Sequence, residues 1–412
     1  MTRATPHGPV EGAPPLTLAP GVLLLFATTL RGGTLDDLAP ATGLVPLPAE
    51  SARTYQDTLA DFAARLLGPR FLQARRIERR PIGRIPLDGT AAGMPAHADV
   101  YLLRHKAGVA LWEVWLPAPE QPLDASRWID ALDAEREDGL VAQLWRTLGP
   151  LSEKISGADR WTGMFFPVFV LRSAQHPLAR IVEQHGAELV RLLFLDRSSR
   201  PLKAQVVEEE LARDYCGREG GITLLARRSG LDLHGREDGA EPEHWQTMPP
   251  PSALPFMVTL EVLLLERTVL QQLYERLSRQ VPRSVDALIA LKQDVLDGLE
   301  EYYGALTSAT RFSDAVTADG ERLLGIADLY DAVMDRLDTI SFAITTRYQK
   351  RMTLLQFWLT IVFGATEIGF IASGIATWYY AKDLGAVLAW TVGASLVSAA
   401  VLVALLYRKV KD

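Results

Sequence analysis

The chain has 412 residues, of which 48% are hydrophobic, and its formal net charge is -7. Its length predicts two or three folding units, its apolar content is sufficient for their cores, and its negative charge argues against nucleic acid as a partner. The single cysteine, Cys216, excludes internal disulfides and multi-cysteine metal clusters, as expected for a protein of a reducing compartment.

The N-terminal region predicts a tail and then a strand. Residues 1–16 are rich in proline and glycine and are expected to be disordered. The apolar run VLLLFATTL follows Pro20 and Gly21 and has no small-residue cleavage site after it. We therefore interpret it as a buried strand rather than a signal peptide.

Residues 17–235 are predicted to form a cytosolic α/β domain, because short apolar runs alternate with helical patterns. The expected strands are a hairpin, VYLLRHKAGVALWEVWL, and the runs MFFPVFVLR, ELVRLLFLD and GITLLARR. The expected helices are SARTYQDTLADFAARLLG and ASRWIDALDAEREDGLVAQLWRTLG, each with a serine near its start and a glycine at its end. Residues 236–253, with their prolines and glycines, predict a linker.

Residues 254–351 are predicted to form a cytosolic helical stalk. Two helices are expected, at 254–279 and 284–310, with Pro282 between them. A third is expected from near Ala318, and no proline follows it before Tyr380. The sequence thus predicts one helix of about 60 residues, about 90 Å long, that continues from the stalk into the first apolar span.

Two C-terminal runs predict a transmembrane hairpin. Glu367 is the sole charged side chain in 352–380, and residues 384–407 have none. Cations precede the first run and follow the second, whereas the connection between the runs holds only Lys382 beside Asp383. Both ends of the hairpin are therefore expected on the cytoplasmic side, with 408–412 as a basic tail. The expected fold class is an α+β membrane protein of a bacterial inner membrane, whose helical stalk is continuous with the first of two C-terminal transmembrane helices.

This order of elements resembles the CorA-like divalent-cation transporters over the whole chain. The stretch FIASGI, Phe370 to Ile375, is similar to the FIAGI that ends the first span in that family, and a basic tail ends the chain. The resemblance implies a homopentamer that transports metal cations such as Mg²⁺. It also implies that the first span of each subunit lines a central pore and that the second faces lipid.

The outer end of the first span departs from the family. The family continues with Gly-Met-Asn, whose asparagine forms a ring that holds a hydrated magnesium ion. This chain has Ala376 and then Thr377, Trp378 and Tyr379, which are the expected outer mouth. The resemblance therefore supplies no permeant ion, and no cofactor is expected beyond a divalent cation, Mg²⁺ or another, as permeant or regulatory ion.

Glu367 indicates which face of the first span meets water. An ionised carboxylate at mid-membrane costs about 2.5 to 3.5 kcal/mol on the insertion scale, so this side chain is expected to avoid lipid. Residues at three- and four-residue spacing around it form what we call the Glu367 stripe: Thr353, Gln356, Thr360, Gly364, Glu367, Ile371, Gly374 and Trp378. The stripe predicts the wall of a pore in which a carboxylate ring concentrates cations.

Two alternatives stay open for this helix. Aligning FIAS with the family's FIAG without a gap turns Glu367 toward a neighbouring helix. The pore face then consists of Leu355, Leu359, Thr366, Ser373 and Thr377. In the other alternative, a protonated Glu367 hydrogen-bonds between helices that approach closely at small residues, namely Gly364, Gly369 and Gly374.

Four aspartates of the stalk predict a second site. Asp328, Asp331, Asp335 and Asp338 fall within about 80° on one helical face. Repeated around an oligomer, they would form carboxylate rings that suit a hard divalent cation, as a reservoir or as a sensor that gates the pore. The alternative is a solvated face that is partly paired with Arg336.

No enzymatic activity is expected. The sequence lacks a phosphate-binding glycine loop, a Gly-x-Ser-x-Gly turn and a His-Glu-x-x-His motif, and its seven histidines are scattered. Two functions remain open, with lipid and copies of the same chain as partners. One is an oligomeric channel or transporter for metal cations. The other is a membrane-anchored oligomeric sensor whose cytosolic domain binds a ligand and whose membrane part is a tether or a non-selective pore.

Overall fold

A computed structural model describes most of the chain. The described residues are 21–29, 44–68, 72, 77–87, 95–105, 108–117, 125–133, 135–156, 165–173, 176–198, 200–236, 253–279, 287, 289–291, 293, 311–380 and 383–411. The predicted tail, nearly all of the predicted linker and most of the predicted helix 284–310 lie outside these residues. The chain divides into two compact units: the sheet unit, Met1–Arg279 with Asp294–Met334, and the C-terminal unit, Gln280–Gln293 with Asp335–Asp412.

The described part of the sheet unit contains a mixed, seven-stranded sheet. Its strands are β1 (Gly21–Thr29), β2 (Glu78–Pro86), β3 (His97–His105), β4 (Val109–Leu116), β5 (Phe165–Arg172), β6 (Gly221–Leu225) and β7 (Gly230–His234). The spatial order is β2-β3-β4-β1-β5-β7-β6, and every neighbouring pair is antiparallel except the parallel pair β5 and β7. The predicted strands at β1, β5 and β6 and the predicted hairpin β3–β4 are confirmed, and the fold is α+β.

The helices of the sheet unit lie between and after these strands. They are α1 (Ala49–Tyr55), α2 (Asp61–Leu67), α3 (Ala125–Ala131), α4 (Leu140–Ser156), α5 (Leu178–Phe194), α6 (Ala204–Leu211), α7 (Leu254–Arg279) and α8 (Arg311–Leu323). A π-helical turn, Gln56–Ala60, joins α1 to α2. Helix α7 has the predicted bounds.

Side chains of successive strand residues point to opposite faces of the sheet, and this alternation builds two apolar layers. On β4, Trp112 and Val114 belong to the main core together with Trp128 of α3 and Leu144 of α4. The opposite face, which carries Glu113, is covered by α7, whose inner residues are almost all buried. Residues of α1 and α2 form a smaller cluster with Tyr101 and the start of α7 on this second face.

Strands β2 and β7 were not predicted from the sequence, and two predicted elements of the sheet unit differ in the structure. The run ELVRLLFLD, predicted as a strand, lies largely in α5, because its apolar residues continue a helical pattern that begins at Leu178 and that buries Ile181, Leu189 and Leu193. The predicted helix ASRWIDALDAEREDGLVAQLWRTLG is two helices, α3 and α4. A turn separates them, in which the backbone N–H of Glu135 donates to Asp133 Oδ1 at 2.8 Å.

The long helix begins later than predicted. Helix α9 (Ile326–Tyr379) has 54 residues, about 80 Å at the usual rise, and it follows α8 after a turn at Leu324 and Gly325. Gly325 has a φ of 66°, a left-handed conformation that glycine adopts without a steric cost and that ends α8. Helix α10 (Leu384–Lys411) is the last element of the chain.

Candidate functional site

Two helices in the described part of the chain, α9 and α10, are long and apolar enough to cross a membrane. Their apolar side chains are exposed rather than packed in a core: Phe370 of α9 is 74% exposed and Leu396 of α10 is 67% exposed. Such a continuous apolar surface is too large to face water in a stable protein. These helices are therefore compatible with transmembrane segments.

The two helices approach each other closely at Gly369 of α9. Ile361, Gly369 and Ala376 are buried on this face. A Cβ atom at Gly369 would overlap the hydroxyl of Ser395 on α10, so only glycine permits this approach without a shift of that side chain. This contact between Gly369 and Ser395 shows which side of α9 the second helix covers.

Glu367 lies on the side of α9 that points away from α10. At about 100° per residue, Glu367 is about 160° around the helix from Gly369 and about 180° from Ala376. Glu367 itself is exposed, as are all members of the Glu367 stripe except the half-buried Gly364, where an added Cβ would lie 3.0 Å from Leu402. The stripe thus leaves its polar groups free to meet another molecule or solvent.

Threonine hydroxyls of α9 donate their protons to their own helix. Thr353 Oγ1 donates to the carbonyl of Gln349 at 2.9 Å, and Thr360 Oγ1 donates to that of Gln356 at 2.8 Å. This local bond satisfies the hydroxyl proton and leaves the oxygen lone pairs as acceptors. The stripe therefore presents hydroxyl, amide and carboxylate oxygens, which are suitable groups for a partly hydrated cation.

The alternative pore face is closer to α10. Thr366 lies about 60° around the helix from Gly369 and lines a groove between α9 and α10 with Thr391 and Ser395. Ser373 is half-buried, while Leu355, Leu359 and Thr377 are exposed. Because α10 covers part of this face, less of it is accessible to another molecule than of the Glu367 side.

The predicted outer mouth carries exposed aromatic rings. Trp378 and Tyr379 are 82% and 74% exposed, and their ring centroids are 5.8 Å apart. Thr377 Oγ1 donates to the carbonyl of Ser373. Asp383 begins α10 as an N-cap, with Oδ1 accepting from the backbone N–H groups of Gly385 at 3.1 Å and Ala386 at 3.2 Å.

The four stalk aspartates share the exposed side of α9. Asp328, Asp331, Asp335 and Asp338 are all exposed. Among the described residues, no group of three or more His, Cys, Asp or Glu side chains is placed to hold a metal ion. The carboxylate rings therefore stay a prediction that needs several copies of the chain.

Comparisons with known proteins provide no relative from which a function could be inferred. No protein-family model, curated protein or solved structure matches this chain. Function is accordingly inferred from the geometry of the described side chains.

Sequence reasoning missed a buried ionic cluster in the sheet unit. Arg79 of β2 binds Glu261 of α7, and Tyr55 of α1 donates to Glu113 of β4. Arg79 Nε also lies 3.8 Å from Glu113 Oε1, and the side chains of Glu113 and Glu261 are 0% exposed. The detectable signal was a glutamate inside an apolar run, once in VALWEVWL and once in TLEVLLLE.

The two carboxyls of this cluster cannot both be ionised at low cost, because one guanidinium balances only one of them. Burial, followed by repulsion from Glu261, raises the pKa of Glu113 to about 8, although Arg79 and the Tyr55 hydroxyl act in the opposite direction. Burial also raises the pKa of Glu261. Arg79 binds Glu261 directly but lies 3.8 Å from Glu113, so a proton on this pair is favoured on Glu113.

The Glu113→Gln variant is expected to flatten the dependence of stability on pH. The pKa of Glu113 is higher in the folded state than in the unfolded chain, so its contribution to stability is complete below the ordinary glutamate range and is lost as pH rises toward about 8. The slope in this window is at most about 1.4 kcal/mol per pH unit. An uncharged amide, whose oxygen would accept from Tyr55, removes that slope.

Thermal unfolding of the full-length protein in detergent at pH 5.5, 6.5 and 7.5 measures this effect. The matched control is Glu153→Gln, which changes an exposed glutamate of α4. Identical pH profiles for Glu113→Gln and the parent would show that Glu113 carries no proton in the folded state.

A second buried network joins β5, β6 and β7. Arg172 donates to Asp232 Oδ2 at 2.9 Å and Thr223 donates to Asp232 Oδ1 at 2.8 Å. Burial alone would raise the pKa of Asp232, but bonds from His234, Arg172 and Thr223 outweigh it and lower that pKa. Burial raises the pKa of the nearby Cys216 thiol, so this cysteine is a poor nucleophile.

Proposed function

We propose that the protein is an oligomeric channel or transporter for metal cations in a bacterial inner membrane, similar in plan to the CorA-like family. The observation that supports this most is the position of Glu367. It lies on the face of α9 opposite the contact with α10, where a second copy of α9 could meet it. In this arrangement α9 of each subunit lines the pore and α10 separates it from lipid.

The membrane location is supported by exposure and charge together. The exposed apolar residues of α9 and α10 are compatible with a lipid environment. Arg347, Lys350 and Arg351 precede the first span, which favours a cytoplasmic position for the sheet unit. The resemblance to the CorA-like family adds the expectation of five subunits.

The proposed mechanism is electrostatic. A ring of Glu367 carboxylates would raise the local concentration of cations, and the threonine and glutamine oxygens of the stripe would replace part of their hydration shell. The membrane potential would then drive cations inward, with about 2.3 kcal/mol per elementary charge for each 100 mV. Ala376, Thr377 and Trp378 stand where the family has Gly-Met-Asn, so selectivity would arise from the polar groups of the stripe.

A sensor with a membrane anchor is the second candidate function. Two observations favour it: the Gly-Met-Asn signature is absent, and the sheet unit contains a large cavity bordered by arginines. In this function the sheet unit binds a ligand, and α9 and α10 hold the oligomer in the membrane.

Flux into liposomes separates the two candidates. Purified protein is reconstituted into liposomes, and a membrane potential that is negative inside is applied. The uptake of Mg²⁺, Zn²⁺, Co²⁺, Na⁺ and K⁺ is then measured, with protein-free liposomes as the control. The channel proposal predicts uptake of at least one ion above the control. Uptake equal to the control for all five ions would leave the anchored sensor as the function.

A further inference from the structure

A cavity of about 1110 Å³ lies within the sheet unit, at the end of the sheet where β1 finishes and β4 and β5 begin. Its apolar wall combines strand and helix residues, namely Leu25, Ala27, Leu111, Phe166 and Leu264. Four arginines border the same space: Arg197, Arg227, Arg228 and Arg267. Three acidic residues, Asp133, Glu135 and Asp196, line it as well. The cavity is thus large enough for an organic molecule of several hundred daltons, and arginines outnumber carboxylates among the lining residues.

Only one of the four arginines has a counterion in the described part of the chain. Arg197 pairs with Asp133 at 2.5 Å, and Asp133 Oδ1 also accepts from the backbone N–H of Glu135. Arg227 and Arg228, in the turn between β6 and β7, and Arg267, on α7, form no ion pair with the described residues. The cavity therefore has three guanidinium groups without an ion-pair partner among the described residues.

Arg267 is the most constrained of these side chains. It is half-buried on α7 beside the buried Leu264, and burial together with repulsion from Arg227 lowers its pKa. Two cations held close together without a counterion destabilise the folded chain. An anion bound between them would remove this repulsion and would satisfy several N–H groups at once.

The segment after α5, which carries Arg197, borders the cavity. Leu195 adopts a left-handed backbone conformation with a φ of 53°, which is uncommon for a leucine. The Arg191 side chain stabilises this turn by donating to the carbonyl of Ser198 at 3.0 Å. The position of Arg197 at the cavity border thus follows from an ordered turn.

We propose that this cavity binds an organic polyphosphate of nucleotide size, with its phosphates between Arg227 and Arg267 and its organic part against the apolar wall. Guanidinium groups bind phosphate oxygens through paired, charge-assisted hydrogen bonds. Phe166 and Leu264 offer the apolar surface on which a planar organic group packs. The site lies wholly in the sheet unit, so it does not depend on cation transport by the C-terminal unit.

The test uses thermal unfolding of the full-length protein in detergent, without divalent cations, with ATP or inorganic pyrophosphate as probes. Both probes are expected to raise the unfolding temperature in a concentration-dependent manner, with ATP acting at lower concentration because of its organic part. Arg267→Gln and Arg227→Gln are expected to weaken the apparent affinity for ATP at least about tenfold. Without any probe, these two variants should be as stable as the parent or more stable, because the repulsion is gone.

Arg279→Gln is the matched control. Arg279 lies at the end of the same helix, is exposed and pairs with Glu275 at 3.3 Å, away from the cavity. It should retain the full response to ATP. An absent response to both probes, an equal response in the parent and in both cavity variants, or a response to pyrophosphate without one to ATP would each overturn the proposal.

Discussion

The Arg79→Met variant is expected to destabilise the sheet unit by about 3 to 5 kcal/mol, the usual cost of removing one partner from a buried ion pair. Arg79 is only 6% exposed, and it is the cation that faces both Glu113 and Glu261. Without it, two carboxyls remain in an apolar environment with no counterion. Urea unfolding of the full-length protein in detergent, followed by tryptophan fluorescence, measures the loss.

Two further variants separate the ionic effect from a general sensitivity of β2. Arg80→Met changes the exposed neighbour and should alter stability by less than about 0.5 kcal/mol. The double variant Arg79→Met with Glu261→Leu should recover much of the lost stability, because an apolar pair can replace a buried ionic pair. A double variant that is less stable than Arg79→Met alone would contradict this explanation.

The Glu367→Gln variant is expected to lower cation flux at least about tenfold, because a ring of charges at a constriction enriches its counterions by a factor of about 10 to 1000. Enrichment depends exponentially on the product of ion charge and local potential. The loss for a divalent ion should therefore approach the square of the loss for a monovalent ion. Flux into liposomes for each ion that the parent conducts gives both numbers.

The exposed variant Glu153→Gln is the control for this experiment, since it makes the same chemical change on α4. Size-exclusion chromatography in detergent should show the same oligomer for the parent and both variants, because each substitution removes a charge at nearly constant side-chain volume. Equal losses for monovalent and divalent ions would contradict the electrostatic mechanism, and unchanged flux for both would place Glu367 outside the conducting path.

Local patterns predicted several elements well. The bounds of α7 were recovered because a linker precedes it and Pro282 follows it, and the hairpin β3–β4 was recovered from its alternating apolar residues. ELVRLLFLD was misassigned because a short apolar run suits a strand or a buried helix equally. Its helical partners lie upstream, from Leu178 onward, and the prediction treated the run alone.

Local sequence patterns could not predict the buried ionic cluster of Arg79, Glu113 and Glu261. Arg79 and Glu261 are 182 residues apart, and only the packing of α7 on the sheet brings them together. The Glu367 stripe was visible in the sequence, but its competitor on the Thr366 face was equally compatible with helical spacing. The contact between Gly369 and Ser395 shows which side of α9 the second helix occupies. Which face of α9 borders water stays a prediction.

Cysteine labelling tests most directly whether the Glu367 side of α9 borders an aqueous path. In a Cys216→Ser background, which contains no other cysteine, Thr360→Cys and Thr366→Cys form a matched pair. Both threonines are exposed and both donate to a carbonyl four residues earlier, but they lie on different sides of α9. With protein in liposomes and a charged, membrane-impermeant thiosulfonate reagent, we expect rapid labelling and block of flux at position 360, and slow labelling at position 366. Rapid labelling at position 366 with protection at position 360 would contradict the account.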